Sequence, residues 1–242
     1  MIKLKNISKS FGSIVLPDFT FDIEDGRFYT IVGPNGCGKS TLLNIIAGTL
    51  ERDGGEIIRS KQGLRTGYVW QDYRSSLLPW LSISENISFP LNIQGAPVKD
   101  REEAVRSLIE DFGIEIDLKE KIYNLSGGQQ QLVCILRALL IEPDLLLLDE
   151  PFSALDQYKI WHVGFELEKM WLKQKSSVLF VSHDVDEAVM LADEIILINK
   201  RGQIEKTIVN NMPRCRTKEM MESEEHLQCR NEIVEFLFDQ HE

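Results

Sequence analysis

Four short, mainly apolar runs recur along the chain, and each is rich in β-branched, leucine or aromatic side chains. They are FYTIV at Phe28–Val32, LLLLD at Leu145–Asp149, VLFVS at 178–182 and IILI at 195–198. Near-continuous apolar runs of this length are typical of strands that are buried on both faces of a parallel sheet. The pattern therefore predicts at least four such strands.

Between these runs lie stretches with helical spacing, at 41–47, 129–140 and 159–171. The alternation of strands and helices predicts a doubly wound α/β core. The opening segment, 2–23, alternates apolar and polar residues and carries turn residues such as Gly12. We expect it to form an antiparallel sheet that packs beside the core.

The stretch of about 85–135 contains apolar residues at helical spacing, including Val105, Leu108 and Phe112. We expect it to form a helical subdomain inserted between two core strands. The tail, about 207–242, is charged and Met-rich, and we expect it to be too short for a further domain. The chain is therefore predicted to form one domain over 1–242.

Composition narrows the choice of partners. The chain has 27 basic and 38 acidic residues and a formal net charge of −11, which gives no general attraction to nucleic acid or to anionic lipid. No apolar run approaches the roughly 18 residues that cross a bilayer, and the stretch MIKLKNISKSFG lacks the apolar core expected of a signal peptide. We expect a cytosolic chain with reduced cysteines, no nucleic-acid partner, and membrane contact only through another protein.

The stretch GPNGCGKST fits the phosphate-binding pattern G-x-x-x-x-G-K-[ST], directly after a predicted strand and before a predicted helix. In this pattern the backbone N–H groups surround phosphate oxygens, Lys39 reaches the terminal phosphates, and the Ser40 hydroxyl ligates Mg²⁺. The predicted nucleotide-binding residues are Gly33, Pro34, Asn35, Gly36, Cys37, Gly38, Lys39, Ser40 and Thr41.

Three further candidates lie at the ends of predicted strands. Asp149 ends the LLLLD strand at the edge where open α/β sheets bind ligands, and we expect it in the Mg²⁺ shell. Glu150 follows and is placed to take a proton from an attacking water, or else only tunes the metal. His183, in VSHD, reaches the same edge, where a lone histidine is more often a hydrogen-bonded or capping residue.

A second glycine-rich stretch, LSGGQ, has the form of a helix start. Ser126 is the predicted N-cap, Gly127 and Gly128 follow, and Gln129 completes the pattern S-x-x-[EQ]. Such a helix start binds anions. By itself it is either a well-capped helix or a second phosphate site.

Together, the phosphate loop, LSGGQ, LLLLDE and the late histidine resemble the signature of ATP-binding-cassette (ABC) ATPases, over about 2–206. The resemblance implies a P-loop NTPase fold with a RecA-like parallel core, an antiparallel β subdomain and an inserted α-helical subdomain. It also implies ATP and Mg²⁺ as cofactors, and a homodimer in which LSGGQ of one subunit covers the γ-phosphate held by the other.

The resemblance assigns further roles. Phe11 matches the aromatic residue that stacks on adenine, unless it is an ordinary packed aromatic. Gln71 matches the glutamine that touches Mg²⁺ or water, Asp156 ends the SALD loop that crosses the dimer seam, and His183 matches the histidine that contacts the γ-phosphate. The implied catalytic residues are Glu150, His183 and Gln71, and the implied metal ligands are Ser40, Gln71 and Asp149.

Several positions depart from the family pattern. Leu132 stands where an arginine often follows the signature, Tyr158 and Lys159 replace a usual threonine and arginine, and Gly164 lies inside a helical stretch. Cys37 lies inside the phosphate loop at a helix start that favours thiolate, and we expect either an alkylatable thiol that MgATP protects or a buried inert one.

The segment after Gln71 contains LLPW followed by S-I-x-x-N-I, with Pro79 and Trp80 in a loop. It resembles the ATPase subunits of nitrate, sulfonate and taurine importers, as does PRCRTK in the tail. This implies a permease partner and, indirectly, a periplasmic or lipid-anchored substrate-binding protein, with the chain on the cytoplasmic face of the membrane. The alternative is a loop that folds back on its own lobe.

Rival functions remain open at this point. They are an ABC ATPase of an exporter or lipoprotein-release system, a soluble ABC ATPase of DNA repair or translation, and a P-loop kinase that phosphorylates a small acceptor. The transported solute also remains open among nitrate, a sulfonate and a vitamin precursor.

Overall fold

The computed structural model describes residues 1–12 and 14–240, and within them nine strands form two sheets. The strands are β1 (Ile2–Ser10), β2 (Ile14–Ile23), β3 (Phe28–Val32), β4 (Gly54–Arg59), β5 (Thr66–Val69), β6 (Leu145–Asp149), β7 (Ser177–Val181), β8 (Glu194–Ile198) and β9 (Ile204–Val209). Ser13, which belongs to the predicted antiparallel segment, and residues 241–242 of the predicted tail lie outside the described residues.

The larger sheet has six strands in the order β5-β6-β7-β3-β8-β9. Its first five strands run parallel, and β9 pairs antiparallel with β8. The smaller sheet is antiparallel, in the order β2-β1-β4. The parallel core and the antiparallel sheet built from the opening segment are therefore confirmed. The four apolar runs are β3, β6, β7 and β8.

Nine α-helices surround the sheets within the described residues. They are α1 (Lys39–Ala47), α2 (Tyr73–Ser76), α3 (Ile83–Ile87), α4 (Phe89–Ile93), α5 (Val98–Asp111), α6 (Gly127–Leu139), α7 (Gln157–Gln174), α8 (Val185–Leu191) and α9 (Glu224–Asp239). Among the helices that the structure describes, none combines the length and apolar character needed to cross a bilayer.

Five of these helices, α2 to α6, lie between β5 and β6 in the sequence. The helical subdomain was predicted to end at about residue 135 and the tail to begin at about 207. In the structure α6 continues to Leu139 and β9 to Val209. The division into subdomains stays a prediction. The tail contains one substantial helix, α9, whose residues Cys229 and Ile233 pack in one apolar cluster with Ala188 and Val189 of α8.

The core lies on both faces of the parallel sheet. All five residues of β6 are buried, and adjacent side chains of a strand face opposite sides. Leu146 and Leu148 belong to the apolar cluster that contains the buried faces of α6 and α7. Leu145 and Leu147 belong to the cluster that contains Leu42 of α1. Burial on both faces is the reason for the continuous leucine run.

The glycine inside α7 has a packing reason. A Cβ atom on Gly164 would lie 2.4 Å from Cε and 3.2 Å from Sδ of Met190 in α8. The two helices therefore approach each other more closely than a larger residue at 164 would allow. This departure from an ordinary helical sequence reflects the contact between α7 and α8.

We expect Gly164→Leu to lower the free energy of unfolding by about 1–3 kcal/mol, because the new side chain must displace Met190. The measurement is urea-induced unfolding. Met190→Ala in the same chain removes the obstructing atoms, so the double variant should be more stable than the sum of the two single losses predicts. Additive losses would contradict the packing explanation.

Candidate functional site

The loop between β3 and α1 is shaped by its glycines. Gly36 and Gly38 have left-handed φ angles of 80° and 98°, which residues with a Cβ adopt rarely. A Cβ on Gly33 would lie 2.4 Å from the carbonyl oxygen of Ile198, so the loop passes tightly over the end of β8. The loop opens directly into the N-terminus of α1, where backbone N–H groups and the helix dipole favour an anion.

Lys39 and Ser40, the first residues of α1, point back into this site. Lys39 is 6% exposed, and its Nζ donates to the carbonyl oxygens of Gly33 at 2.7 Å and Pro34 at 2.8 Å. The Ser40 hydroxyl donates to Oδ1 of Asp149 at 3.0 Å. The structure thus joins the phosphate loop to the end of β6, as the sequence predicted. Asn35 is exposed at the loop tip, and Thr41 is half-buried behind Ser40.

Asp149 has an unusual environment for a carboxyl group. Burial raises its pKa to about 6, the hydrogen bond from Ser40 opposes this shift, and the charge of Glu150 adds to it. A cation placed beside the Ser40 and Asp149 oxygens would relieve the cost of burying this charge. Mg²⁺ typically takes one or two carboxylates and completes its octahedron with phosphates and water, so the donor set fits it.

Glu150 lies in a strained backbone conformation, with φ 47°. Two neighbouring elements hold it there. Its N–H donates to the carbonyl oxygen of Val181 at 2.9 Å, and its carbonyl oxygen accepts from Nε2 of Gln131 at 3.1 Å. Its carboxylate lies 3.3 Å from Nδ1 of His183. The two predicted strand-end residues therefore meet at one edge of the sheet.

Sequence reasoning missed two polar residues of this site. Gln131 is fully buried in α6, binds Oγ of Ser153 at 3.1 Å and accepts from the N–H of Ala154 at 2.8 Å. A glutamine on the buried face of an amphipathic helix was the available signal. Glu187 in α8 is also buried, and the Ser182 hydroxyl donates to it at 2.5 Å. It holds the turn that carries His183.

The LSGGQ stretch begins α6 as predicted. The N–H of Ser126 donates to Oε1 of Gln129 at 3.0 Å, and the N–H of Gln129 donates to Oγ of Ser126 at 3.4 Å, which completes a capping box. A Cβ on Gly127 would lie 2.9 Å from Oη of Tyr73, and one on Gly128 would lie 2.9 Å from the carbonyl oxygen of Ala154. Ser126 itself is exposed, so this helix start faces outward.

Three predicted residues lie outside the contacts that join the phosphate loop to Asp149. Phe11 is 58% exposed at the end of β1, with its ring centroid 5.4 Å from Nζ of Lys9. Gln71 is exposed just beyond β5, on the carboxyl edge of the sheet. Asp156 is the N-cap of α7 and pairs with Lys159 at 2.8 Å. Their roles toward nucleotide stay predictions.

The environment of Cys37 bears on the two alternatives predicted for its thiol. The thiol is 2% exposed, and burial raises its pKa, although Lys39 partly opposes the shift. Burial thus opposes the thiolate that the helix start favours. The structure favours the alternative of a buried neutral thiol.

A family model described as ABC transporter matches residues 16–153. The chain belongs to the ABC transporter family. It is therefore an ATPase that uses ATP and Mg²⁺. The resemblance to ABC ATPases, which was based on the phosphate loop, LSGGQ and the strand-end residues, is confirmed. The alternative of a P-loop kinase is excluded.

Curated relatives agree with this family. An aliphatic sulfonates import ATP-binding protein of Bacillus cereus is 42% identical over 223 residues, which cover 88% of this chain and 86% of the relative. An uncharacterized ABC transporter ATP-binding protein of Methanocaldococcus jannaschii is 36% identical over 250 residues, covering 99% and 92%.

Solved structures agree with the fold. A dimeric bacterial ABC transporter cassette superposes with a TM-score of 0.78 at 29% identity, over 86% of this chain and 98% of the cassette. A dimeric post-hydrolysis state of such a cassette, bound to ADP and Pi, gives the same TM-score, identity and coverage. The predicted P-loop α/β fold is thus confirmed independently.

Glu187 generates a test of the site's electrostatics. Burial raises its pKa to about 7, the Ser182 hydrogen bond opposes this, and the charges of Asp184 and Glu150 add to it. Because the folded pKa exceeds the unfolded value, the stability tied to its proton is present at low pH and lost as pH rises through about 7. Glu187→Gln keeps an acceptor for Ser182 but carries no charge.

We expect the stability of Glu187→Gln relative to the wild type to increase by about 2 kcal/mol between pH 5 and pH 8. Urea unfolding at the two pH values measures it. Glu110→Gln, on the exposed face of α5, is the control for loss of one negative charge. A constant difference between Glu187→Gln and wild type across this range would contradict the assignment.

Proposed function

We propose that this ABC ATPase is the ATP-hydrolysing subunit of an importer for a small anionic or organic solute, with an aliphatic sulfonate as the first candidate. The observation that carries the importer assignment is the 42% identity to an aliphatic sulfonates import ATP-binding protein over 88% of the chain. The exposed loop around Trp80, described below, supports it independently.

In this proposal the chain works as a homodimer around two MgATP. The support is geometric: the phosphate loop, Asp149, Glu150 and His183 share one edge of the sheet, whereas the LSGGQ helix start is exposed and packs against Tyr73 and Ala154. A helix N-terminus that faces outward suits a phosphate held by another copy. The dimeric cassettes among the solved relatives support the same arrangement.

The residues take the following roles. Lys39 and the loop backbone bind the phosphates. Ser40, Gln71 and Asp149 would hold Mg²⁺, which would neutralise phosphate charge. Glu150 accepts the proton of the attacking water at its carboxylate, and His183, 3.3 Å away, orients that carboxylate and contacts the γ-phosphate. Phe11 stacks on adenine, and Asp156 lies at the dimer seam with Ser126, Gly127, Gly128 and Gln129.

The loop around Trp80 is our candidate permease contact. Trp80 is 69% exposed, which argues against a loop folded back on its own lobe. The fully buried Asn86 fixes the loop, since its side chain exchanges two 3.0 Å hydrogen bonds with the backbone of Leu78. Arg137 holds Asn86 in turn, at 2.8 Å. A rigid loop that presents an aromatic ring to solvent is typical of a protein interface.

The remaining parts of the system follow from this contact. The chain would reach the cytoplasmic face of the membrane through two permease subunits, and a periplasmic or lipid-anchored binding protein would deliver the solute to them. Affinity capture of the tagged chain from detergent-solubilised host membranes, with MgATP and vanadate, tests the proposal. A co-purifying permease and uptake of labelled alkanesulfonate support it, whereas capture of soluble partners alone contradicts it.

The role of Glu150 predicts that ATP binding can be retained while ATP hydrolysis is lost. Glu150→Gln removes the proton acceptor but not the phosphate loop, so we expect ATP hydrolysis to fall by about 100-fold or more. ATP binding should persist, and a dimer should accumulate in MgATP, as measured by light scattering. The matched control is Glu142→Gln, an exposed neutralisation beyond α6. Wild-type turnover in Glu150→Gln would remove Glu150 from the proposed mechanism.

The permease contact predicts a loss of assembly without loss of ATPase activity. Trp80→Ser should reduce co-purification of the permease by about tenfold, because exposed aromatic anchors dominate interface energies. ATPase activity of the isolated chain should stay at the wild-type level. Phe238→Ser is the control, since Phe238 in α9 is 70% exposed and lies far from this loop in sequence. Equal permease recovery with both variants would contradict the assignment.

A further inference from the structure

The short helix α8 starts two residues after His183 and has seven residues. Inside the core it is joined to the His183 turn by side-chain bonds. The Ser182 hydroxyl donates to Glu187 at 2.5 Å and accepts from the N–H of Asp184 at 2.9 Å. The Asp184 carboxylate in turn accepts from the N–H of Asp186 at 2.8 Å and caps the helix. A movement of α8 therefore moves the turn that carries His183.

The outer end of α8 is held by a buried arginine of the C-terminal segment. Arg216 is 4% exposed, and its guanidinium donates to the carbonyl oxygens of Val189 at 3.1 Å, Met190 at 2.9 Å and Ala192 at 2.9 Å. These carbonyls end the helix and have no partners within it. A positive charge at this end also complements the helix dipole.

Two neighbours strengthen this hold. Asn210 donates to the carbonyl oxygens of Val189 at 2.8 Å and Ala192 at 3.1 Å. Arg214 donates to the carbonyl oxygen of Leu191 at 2.8 Å and pairs with Asp193, the residue that precedes β8. The last turn of α8 is therefore fixed by three side chains from outside the helix.

The first turn of α8 is held by α9. The carboxylate of Asp186 lies 3.2 Å from Nε2 of His226 and 3.0 Å from Nε of Arg230. His226 is 3% exposed, so its ring is buried on the inner side of this contact, whereas the Asp186 carboxylate is partly exposed. Between the two ends, Cys229 and Ile233 of α9 pack against Ala188 and Val189. Both ends and the outer face of α8 are thus bound by residues 210–233.

We propose that residues 210–233 form a positioning clamp, which holds α8 and, through the Ser182–Glu187 contact, sets the position of His183 over Glu150. The positioning residues are Arg216, within the clamp, and Asp186, the residue of α8 that the clamp holds. It acts on the rate of ATP hydrolysis and not on nucleotide affinity, because none of its contacts reaches the phosphate loop. The clamp rests on the role of His183 in the proposed function.

The test uses the purified full-length chain. Arg216→Met keeps an unbranched side chain but loses the guanidinium and its three contacts with the carbonyls of α8 and its C-cap. Asp186→Asn loses the charge that holds His226 and Arg230. We expect kcat to fall by about tenfold in Arg216→Met and by about threefold in Asp186→Asn, since small displacements of catalytic groups carry large rate costs. KM for ATP should stay within about twofold of wild type, and Arg216→Lys should recover part of the loss.

A double-mutant analysis separates positioning from general damage. In a His183→Ala background, measured by single-turnover hydrolysis, neither clamp substitution should lower the rate further, because the residue they act through is gone. Glu232→Gln is the matched control. It removes the ion pair of α9 with Lys206 in β9, as does Lys206→Met, which replaces no residue of the clamp; both variants should leave kcat unchanged, because this pair is made with β9 and not with α8.

Each outcome has a distinct meaning. If Arg216→Met and Asp186→Asn lower the hydrolysis rate of His183→Ala by the same factor as in the wild type, the clamp is overturned and the proposed function is unaffected. The same holds if these variants change only KM or only the folded fraction. Wild-type hydrolysis in His183→Ala itself overturns both the clamp and the assigned role of His183. If Arg216→Met fails to fold, Asp186→Asn decides, because the Asp186 side chain is 45% exposed and its replacement is nearly isosteric.

Discussion

The arrangement of the site depends on β6, a strand that is buried on both faces and has two carboxylates at its carboxyl end, those of Asp149 and Glu150. The leucines of β6 are anchored by apolar clusters above and below the sheet, so the position of Asp149 is fixed. The Ser40 hydroxyl then joins that carboxylate to the phosphate loop at 3.0 Å. Because burial disfavours the charge on Asp149, the site is electrostatically prepared for a cation.

The same strand end places Glu150 at a sharp turn. Its left-handed φ of 47° requires support from outside the strand, and β7 and α6 supply it through Val181 and Gln131. Gln131 belongs to the helix that begins with LSGGQ. The strained backbone of Glu150 and the exposed helix start are therefore connected through α6, and a rotation of α6 would affect both.

The turn after β7, which contains His183, is a second element that contacts Glu150. His183 follows β7, and the hydrogen bond between Ser182 and Glu187 fixes the turn that contains it. Glu187 belongs to α8, which packs against the C-terminal segment. Glu150 is thus reached by α6 on one side and by His183 on the other. The contacts of the same carboxylate therefore connect it to the helical region and to the C-terminal segment.

The sequence by itself determined four buried strands of the parallel sheet, the capped start of α6 and the family, because these depend on local patterns. Buried runs of apolar residues specify parallel strands, and the S-x-x-[EQ] box and the phosphate loop are written in consecutive positions. Only the tertiary structure decided that Gly164 makes room for Met190, that Cys37 is a buried thiol, and that the buried side chains of Gln131, Glu187 and Arg216 contact Glu150, Ser182 and the end of α8, respectively. These features depend on atoms that are distant in sequence and meet only when the helices pack on the sheet, so no local pattern could reveal them.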